Sequence, residues 1–467
     1  MSRIKLTKNT ILHIIAFAVI CILFFALRFI NIEKRIIFDW DQERDAFEIK
    51  RMLIEHKPVL IGPRVVGVHG FFLAPYYTYL LLPFYILSNL HPIGSMYFVI
   101  FVNLVFVAAS FFIIKTIWGK KFAALFLLLW GINPLLVSYD ITPWNVLLVS
   151  PTIMFTLFVI YKLYTNRSWI YWCLLGITLA LGINFHFQFV FMILLAIVFI
   201  VSAKKQIESS GKNISILIGS FLLMFLPLLI FDLRHDFLNT NLFINFFLSG
   251  SDQNPRDMIS WILVLNNAFH PIISVKNTPL TVLFYVIFVA GTFWSILKTK
   301  GFLHYLYISF LGVLLSTPIF FILYGKRPSE YYFVFLYPLL YIVIINLFTK
   351  NRALLVLIIA LVLFGIHFRE LQSTLKDNNF GLYYKDLAVK ELIPYTKGKK
   401  FNISFDLPLG AHTGYDYLIE QNGIEQSGVF TDPLVQINIP PHKNDHVVHL
   451  IGFSIPKEFS EVSSEKN

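Results

Sequence analysis

The sequence contains few cysteines and few charged residues for its length. Its 467 residues include only Cys21 and Cys173, and 14% of the residues are Asp, Glu, Lys or Arg. Both cysteines lie inside apolar segments, which favours small core residues over a disulfide or a metal-binding pair. Soluble proteins carry about 25% charged residues, so this composition excludes a soluble fold for most of the chain.

Long apolar segments make up most of the sequence. Hydrophobic residues account for 57% and aromatic residues for 17%, and the mean hydropathy is +0.69. Because an apolar helix of about 20 residues crosses the roughly 30 Å of bilayer hydrocarbon, we predict a mainly α fold, a polytopic transmembrane helical bundle. The predicted segments are 11–30, 71–90, 95–114, 122–138, 146–164, 169–184, 187–203, 214–231, 279–297, 303–324, 331–348 and 353–368.

Basic residues mark one side of these segments. The net charge of +11 comes mainly from short loops, as in the cytoplasmic loops of membrane proteins, so anionic lipid headgroups are the expected partner and nucleic acid is not. This pattern places the N-terminus in the cytoplasm. If every predicted segment crosses the membrane in turn, later basic loops fall on the outer face, which conflicts with this pattern. The conflict disappears if segment 71–90 is re-entrant or tilted, or if a later boundary is misplaced. The first option gives about eleven crossings of the plasma or inner membrane and an external C-terminus.

An acidic stretch follows the first apolar segment and lies on the outer face in this topology. Residues 38–45 contain four carboxylates, those of Asp39, Asp41, Glu43 and Asp45. A carboxylate at the mouth of an apolar cavity has a raised pKa, or stays ionised beside Arg44 or Arg64. Either state suits a general base that takes a proton from a hydroxyl. The alternatives are a solvated loop and helix capping.

An amphipathic pattern begins in the acidic stretch. Apolar side chains in residues 41–56 recur at helical spacing, which predicts a helix in the membrane interface with acids at its N-terminus, where the helix dipole favours them. The connector after this helix contains Arg64 and His69 among glycines. It either closes over a phosphate or forms a simple turn. Residues 31–70 therefore form an outer-face element.

The composition becomes polar after residue 370. We predict a transmembrane domain over 1–370 and an extracytoplasmic α+β domain over 371–467. Helical and strand patterns within the second domain predict a helix at 387–393 and strands at 401–407, 415–420, 434–439 and 446–453. Residues 460–467 are expected to be a disordered tail. An interfacial helix is predicted at 259–268, between two spans.

Other polar groups share the predicted outer face. Asp140 stands alone between two spans and is either a helix N-cap or a site residue. His186 and Gln188 lie among phenylalanines at a helix end. Basic residues on this face run against the positive-inside bias and call for an anionic partner such as a lipid phosphate, with internal ion pairing as the alternative. They are Arg234, His235, Lys326 and Arg327.

The common signatures of soluble catalysis are missing. No Walker loop, dinucleotide-binding glycine pattern, zinc-ligand spacing or Ser/His/Asp constellation occurs in a sequence context that would support its function. Any group transfer is therefore expected to use a donor that is already on the outer side.

The order of the motifs resembles the GT-C class of membrane glycosyltransferases. An acidic motif and an interfacial helix precede Ile61-Gly62-Pro63, His69-Gly70 and Ala74-Pro75-Tyr76-Tyr77. The resemblance covers residues 11–350 and is to the family 39-like enzymes, the protein O-mannosyltransferase and aminoarabinose-transferase type. It implies transfer of a sugar from a polyprenyl-phosphate donor to a hydroxyl of a glycan, lipid or protein, with inversion at the anomeric carbon.

The resemblance also implies residue roles. Asp41-Gln42 matches the Asp-Glu motif of the family, which makes Asp41 the general base, although the departure at Gln42 leaves the other three carboxylates open. Asp140 matches a second aspartate and would orient the acceptor or the sugar. The candidates for binding the donor phosphate are Arg64, His69, Arg234, His235, Lys326 and Arg327. No cofactor is required by such enzymes, but the related oligosaccharyltransferases use a metal, so a divalent cation stays open.

A transporter or flippase of polyprenyl-linked glycans is the alternative function. Such proteins place ionisable residues in the middle of spans and contain inverted repeats. Here the charged residues lie at helix ends and no internal repeat is visible, which favours the enzyme.

Overall fold

The computed structural model describes residues 8–65, 70–248, 261–273, 277–324, 328–349, 353–396, 398–429 and 431–460. Most of this part of the chain is helical. The α-helices are α1 (Lys8–Phe29), α2 (Ile32–Arg35), α3 (Trp40–Glu55), α4 (Tyr76–Leu87), α5 (Ile93–Trp118), α6 (Lys120–Gly131), α7 (Pro134–Asp140), α8 (Val149–Asn166), α9 (Trp169–Phe185), α10 (Val190–Ser202), α11 (Gly211–Leu223), α12 (Leu226–Arg234), α13 (Leu238–Leu248), α14 (Trp261–Ile273), α15 (Thr278–Lys298), α16 (Phe302–Tyr324), α17 (Tyr337–Thr349), α18 (Ala353–Thr374), α19 (Leu382–Thr396), α20 (Tyr415–Gln421) and α21 (Lys457–Ser460).

The apolar helices confirm an integral, multi-pass membrane protein. Within the described residues, 5 helices are long and apolar enough to cross a bilayer, and the number rises to 7 if each of two bent helix pairs is one span. Shorter apolar helices occupy the other predicted segments. Segment 71–90 is helical only over Tyr76–Leu87, about 18 Å at 1.5 Å per residue. That helix is too short to cross the hydrocarbon core, as expected of a re-entrant or tilted element.

The bend between α6 and α7 shapes one end of the helical bundle. The two helices meet at 85°, because Asn133 starts a new helix: its side chain accepts a hydrogen bond from the Leu136 N–H (3.0 Å), and Pro134 occupies the first turn. At the end of α7, the Asp140 carbonyl accepts a hydrogen bond from the Asn103 side chain (2.6 Å). The loop that follows α7 is thereby held against α5.

Helix α3 is amphipathic, as predicted, and its apolar face packs on protein. Its buried residues include Ala46, Ile49 and Met52, and the helix contacts α4 and α20. Two extended segments follow α3 and pair through backbone hydrogen bonds from the Gly62 N–H to the Leu73 carbonyl (2.7 Å) and from the Leu73 N–H to the Pro63 carbonyl (3.0 Å). This pairing brings residue 64 close to the bundle.

A small four-stranded sheet forms the C-terminal part. The strands are β1 (Asn402–Asp406), β2 (Leu434–Asn438), β3 (His446–Val448) and β4 (Ile451–Ser454), in the order β1-β2-β4-β3. β1 and β2 are parallel, and the other two pairings are antiparallel. Helices α19, α20 and α21 complete the predicted α+β composition.

Two of the strand predictions were wrong. Residues 415–420 form helix α20 instead of a strand, since their aromatic and β-branched composition is outweighed by tertiary contacts at the helix N-terminus. Residues 446–453 form β3 and most of β4, joined by a turn in which His449 has a φ of 58°. The predicted helix at 387–393 belongs to the longer α19. The helix predicted at 259–268 is present as α14 over its described residues, and its interfacial position stays a prediction. Most of the predicted tail lies outside the described residues.

Candidate functional site

Helix α3 begins in the acidic stretch, and Gln42 fixes this end of the helix. The Asp39 N–H donates to Oε1 of Gln42 (3.0 Å), and Nε2 of Gln42 donates to the Pro143 carbonyl (3.0 Å). Gln42 therefore caps α3 and ties it to the loop after α7. Gln42, which replaces the glutamate of the Asp-Glu motif, therefore has a structural role at this end of the helix.

Two of the four carboxylates bind the C-terminal segment. Asp39 accepts a hydrogen bond from the Lys385 ammonium, with 2.8 Å between Oδ1 and Nζ. Glu43 accepts hydrogen bonds from two backbone N–H groups at the N-terminus of α20, those of Gly414 (2.8 Å) and Tyr417 (3.0 Å). Both acids therefore have structural partners more than 300 positions away in the sequence.

Arg44 joins the other two carboxylates. Its Nη1 lies 2.8 Å from Oδ1 of Asp41, while its Nε and Nη2 lie 3.0 and 2.7 Å from Oδ1 of Asp45. The Asp41 side chain is 54% exposed and that of Asp45 only 2%. Burial raises the pKa of Asp45 to about 7, against the opposing effect of Arg44. Asp41 is thus the accessible acid of the pair.

A cavity of about 220 Å³ lies beside Asp41. It brings together residues from α3, the extended pair, the loop after α7, the turn after α9 and the turn before α17. Charged, amide and aromatic side chains share its wall. The lining residues are Asp41, Arg44, Pro63, Arg64, Val65, Leu73, Trp144, Asn145, Val146, His186, Phe187, Gln188, Tyr331 and Tyr332.

Four aromatic rings form one contiguous wall of this cavity. The Tyr331 ring lies 5.4 Å from Trp144, 5.7 Å from His186 and 4.6 Å from Tyr332, measured between ring centroids. The indole N–H of Trp144 is buried and has no hydrogen-bond partner among the described residues. Burial lowers the pKa of His186 to about 3, so its imidazole is neutral. Neutral donors and ring faces on one side of a cavity are suited to a sugar.

Asp140 is held in a buried ion pair. Its Oδ2 accepts hydrogen bonds from Nε and Nη2 of Arg28 (2.9 and 2.6 Å) and from Nε1 of Trp130 (3.0 Å). Its residue exposure is 8%. The cavity beside Asp41 is lined by Trp144 and Asn145, a few residues farther along the chain.

The three candidate phosphate-binding residues that the structure describes lie in two places. Arg64 lines the cavity, and its Nε donates to the Gly70 carbonyl (2.6 Å). Arg234 and His235 are exposed at the end of α12, where the His235 ring stacks on Phe231 with 4.2 Å between centroids. The neighbouring Asp232 caps α13 by accepting hydrogen bonds from its backbone. His69, Lys326 and Arg327 lie outside the described residues.

A second, mainly apolar cavity adjoins the first. Its volume is about 420 Å³, and Leu73 and Phe187 line both cavities. Phenylalanines and leucines form most of its wall, including Phe72, Leu228 and Phe243. A polar cavity thus shares part of its wall with an apolar one, an arrangement that suits a ligand with a polar head and an apolar tail.

A resident metal has no ready ligand set in the described part of the chain. No group of three or more His, Cys, Asp and Glu side chains is arranged there to hold an ion. Asp41 and Asp45 instead share the guanidinium of Arg44. A divalent cation therefore stays a prediction from the resemblance.

Sequence reasoning missed Lys385, although a signal was present. The residue lies on the buried face of α19 in the series Leu382, Lys385, Val389 and Leu392, which recurs at helical spacing. Its exposed fraction is 1%. A lysine in a buried apolar stripe requires acceptors from another element, and here two of the three come from the acidic stretch.

Known structures of the same architecture exist. ArnT from Cupriavidus metallidurans in the apo state matches 93% of this chain and 94% of its own, with a TM-score of 0.57 and 10% identity. ArnT bound to undecaprenyl phosphate matches with a TM-score of 0.58 and 10% identity over 94% of this chain and 87% of its own. The fold is that of the GT-C class. At this identity the likeness concerns the fold alone.

Another GT-C structure is also similar. The oligosaccharyltransferase of Archaeoglobus fulgidus, in complex with zinc and sulfate, matches 82% of this chain at 14% identity with a TM-score of 0.51, and the chain spans 55% of its length. Comparison of the sequence with protein-family models and with curated proteins gives no match. The GT-C fold expected from the motifs is therefore confirmed by structure, without support from sequence similarity.

Proposed function

We propose that this protein is a glycosyltransferase that moves a sugar from a polyprenyl-phosphate donor to an acceptor hydroxyl at the outer membrane face. The observation that carries the proposal is a single cavity lined by Asp41, Arg64 and the aromatic wall. Two proteins of the same fold have been observed with such lipids: ArnT with undecaprenyl phosphate and the archaeal oligosaccharyltransferase AglB with a dolichol-phosphate. The adjoining apolar cavity supports a donor with a prenyl tail.

Asp41 is the proposed general base. Its carboxylate accepts the proton of the acceptor hydroxyl as the oxygen forms a bond to the anomeric carbon. The acceptor oxygen attacks on the face opposite the phosphate, and the bond between that carbon and the phosphate oxygen breaks with its electron pair on the phosphate, so the configuration inverts. Polyprenyl phosphate leaves, and Asp41 then releases the proton to water. The half-exposed position of Asp41 supports both contact with an acceptor and this release.

Arg64 is the proposed partner of the donor phosphate. It belongs to the connector between α3 and α4 and lines the polar cavity. A guanidinium stabilises a phosphate that gains charge as it leaves. Trp144, Tyr331 and Tyr332 are the proposed contacts of the sugar ring. Asp140, through its ion pair with Arg28, is the proposed support for the loop that carries Trp144.

Transfer of a labelled sugar in proteoliposomes tests the proposal. The full chain is supplied with a panel of polyprenyl-phosphate monosaccharides and a membrane acceptor extract. We expect Asp41→Asn to lower turnover by roughly 10²- to 10⁴-fold, which is the usual contribution of a general base. Glu55→Gln, which changes an exposed acid at the other end of α3, should leave turnover unchanged.

Two outcomes would contradict the proposal in different ways. Full turnover in Asp41→Asn would remove that residue as the base. Movement of the labelled lipid between leaflets, without transfer of its sugar to any acceptor, would replace the enzyme by a flippase.

A further inference from the structure

The residues on both sides of Asp41 are bound by the C-terminal segment, residues 375–460. On one side, the Lys385 ammonium donates to the Phe38 carbonyl (2.8 Å), to Oδ1 of Asp39 (2.8 Å) and to the Thr413 carbonyl (2.7 Å). All three donor hydrogens of the ammonium therefore have acceptors. This single buried group ties the backbone before Asp41 to two parts of the C-terminal segment.

The other side is held through Glu43. Its two carboxylate oxygens accept hydrogen bonds from the Gly414 and Tyr417 N–H groups, which begin α20. Gly414 has a φ of 90°, and a Cβ at this position would collide with the Phe38 carbonyl. A glycine is thus required for the close approach of the two segments.

We propose that the C-terminal segment is a positioning element for Asp41, with Lys385 and Glu43 as positioning residues. The inference rests on the proposed role of Asp41 as base. Contacts two residues before and two residues after Asp41 fix the first turn of α3, while the Asp41 side chain itself stays directed to the cavity. The C-terminal segment then controls catalysis without touching the substrate.

The same interface offers a matched control. Nζ of Lys50 lies 2.8 Å from Oε1 of Glu420, so this ion pair also joins α3 to α20. It lies about two and a half turns farther along α3 than Asp41 and does not involve the first turn. Loss of the Lys50 contact weakens docking of the two elements in general, whereas loss of the Glu43 or Lys385 contacts acts on the backbone of Asp41.

Hydrogen exchange and kinetics of the full chain in lipid nanodiscs test the proposal together. The variants are Glu43→Ala, Lys385→Met and the control Lys50→Met. We expect faster amide exchange over residues 38–44 in the first two variants and a fall in kcat of about tenfold to a hundredfold, because small misplacements of a catalytic group have effects of this size. The KM for the donor should stay within about twofold, because the donor contacts are unchanged.

The control separates local positioning from general docking. Lys50→Met should keep both the exchange rate of residues 38–44 and kcat. Equal losses in all three variants would overturn the proposal, as would faster exchange over residues 38–44 with unchanged turnover. Because Lys385 is buried, its variant is compared only if its melting temperature is close to that of the native chain, and otherwise Glu43→Ala decides.

Failure of the proposed function can be told apart from failure of this inference. If the native chain transfers no sugar, the glycosyltransferase proposal fails whatever the exchange shows. The exchange arm then still measures whether Glu43 and Lys385 order residues 38–44, and unchanged exchange in both variants would overturn the positioning role by itself.

Discussion

Arg28 and Asp140 form a buried ion pair that joins the end of α1 to the end of α7. Nη2 of Arg28 lies 2.6 Å from Oδ2 of Asp140, and the Arg28 side chain is fully buried. Removing one partner of such a pair leaves an uncompensated charge, which typically destabilises a protein by about 3–5 kcal/mol.

We therefore expect Asp140→Leu to lower the melting temperature of the purified chain markedly. Asp41→Asn changes an exposed carboxylate and should leave the melting temperature nearly unchanged. Thermal unfolding in detergent, followed by light scattering, measures both variants. A normal melting temperature combined with lost transfer in Asp140→Leu would instead favour direct contact of Asp140 with the acceptor or the sugar.

Asp45 should make stability depend on pH. Its pKa is raised to about 7 by burial, against about 3.9 in an unfolded chain. Between these values the folded state holds a proton that the unfolded state has lost, so this group stabilises fully below about pH 4 and its contribution is lost as the pH rises through 7.

Asp45→Asn should reduce this pH dependence. The variant is expected to show a flatter plot of melting temperature between pH 5 and 8 than the native chain, since about 1.4 kcal/mol is at stake for each pKa unit. Glu55→Gln is the matched control on the same helix. An identical slope in the native chain and Asp45→Asn would show that the protonation of Asp45 does not differ between the folded and unfolded states in this pH range.

Trp144 should contribute a hydrogen bond to a ligand in the cavity. Its buried indole N–H has no partner among the described residues, and Trp144→Phe removes this donor while keeping a ring beside Tyr331. We expect donor affinity to fall by about three- to tenfold, as a hydrogen bond contributes about 0.5–1.5 kcal/mol. Isothermal titration with a polyprenyl-phosphate sugar measures the change.

Trp172→Phe provides the comparison for Trp144. The Trp172 indole N–H is also buried without a partner in the described structure, but it belongs to the core of α9 and not to the cavity wall. Donor affinity should be unchanged in this variant. Equal effects of the two substitutions would argue against a ligand contact for Trp144.

Arg64 and Arg234 should differ in their effects on the donor. Only Arg64 of these two lines the cavity, whereas Arg234 is exposed at the end of α12. A charge-assisted hydrogen bond contributes about 1.5–3 kcal/mol, so Arg64→Ala is expected to raise the donor KM by roughly tenfold to a hundredfold. Arg234→Ala should leave it within about twofold, and the opposite ranking would move the phosphate site to α12.

Hydropathy predicted the helical part of the fold well, because the length of an apolar helix and the thickness of a bilayer are local matters of composition. The wrong strand prediction over residues 415–420 has a different origin. The pattern of residues 415–420 is compatible with a strand, but Glu43 caps the N-terminus of α20 there from the other end of the chain. The sequence immediately around residue 415 does not reveal this contact with a distant residue.

The sequence by itself determined the class of protein and the stretch in which to look for the site. Apolar runs and one concentration of acid over residues 38–45 are visible without any structure. Only the tertiary structure separated the four carboxylates: Asp39 and Glu43 bind the C-terminal segment, Asp45 is buried against Arg44, and Asp41 lines the cavity. The physical reason is that burial and ion pairing depend on partners that folding brings from distant positions, so similar acids two residues apart acquire different environments.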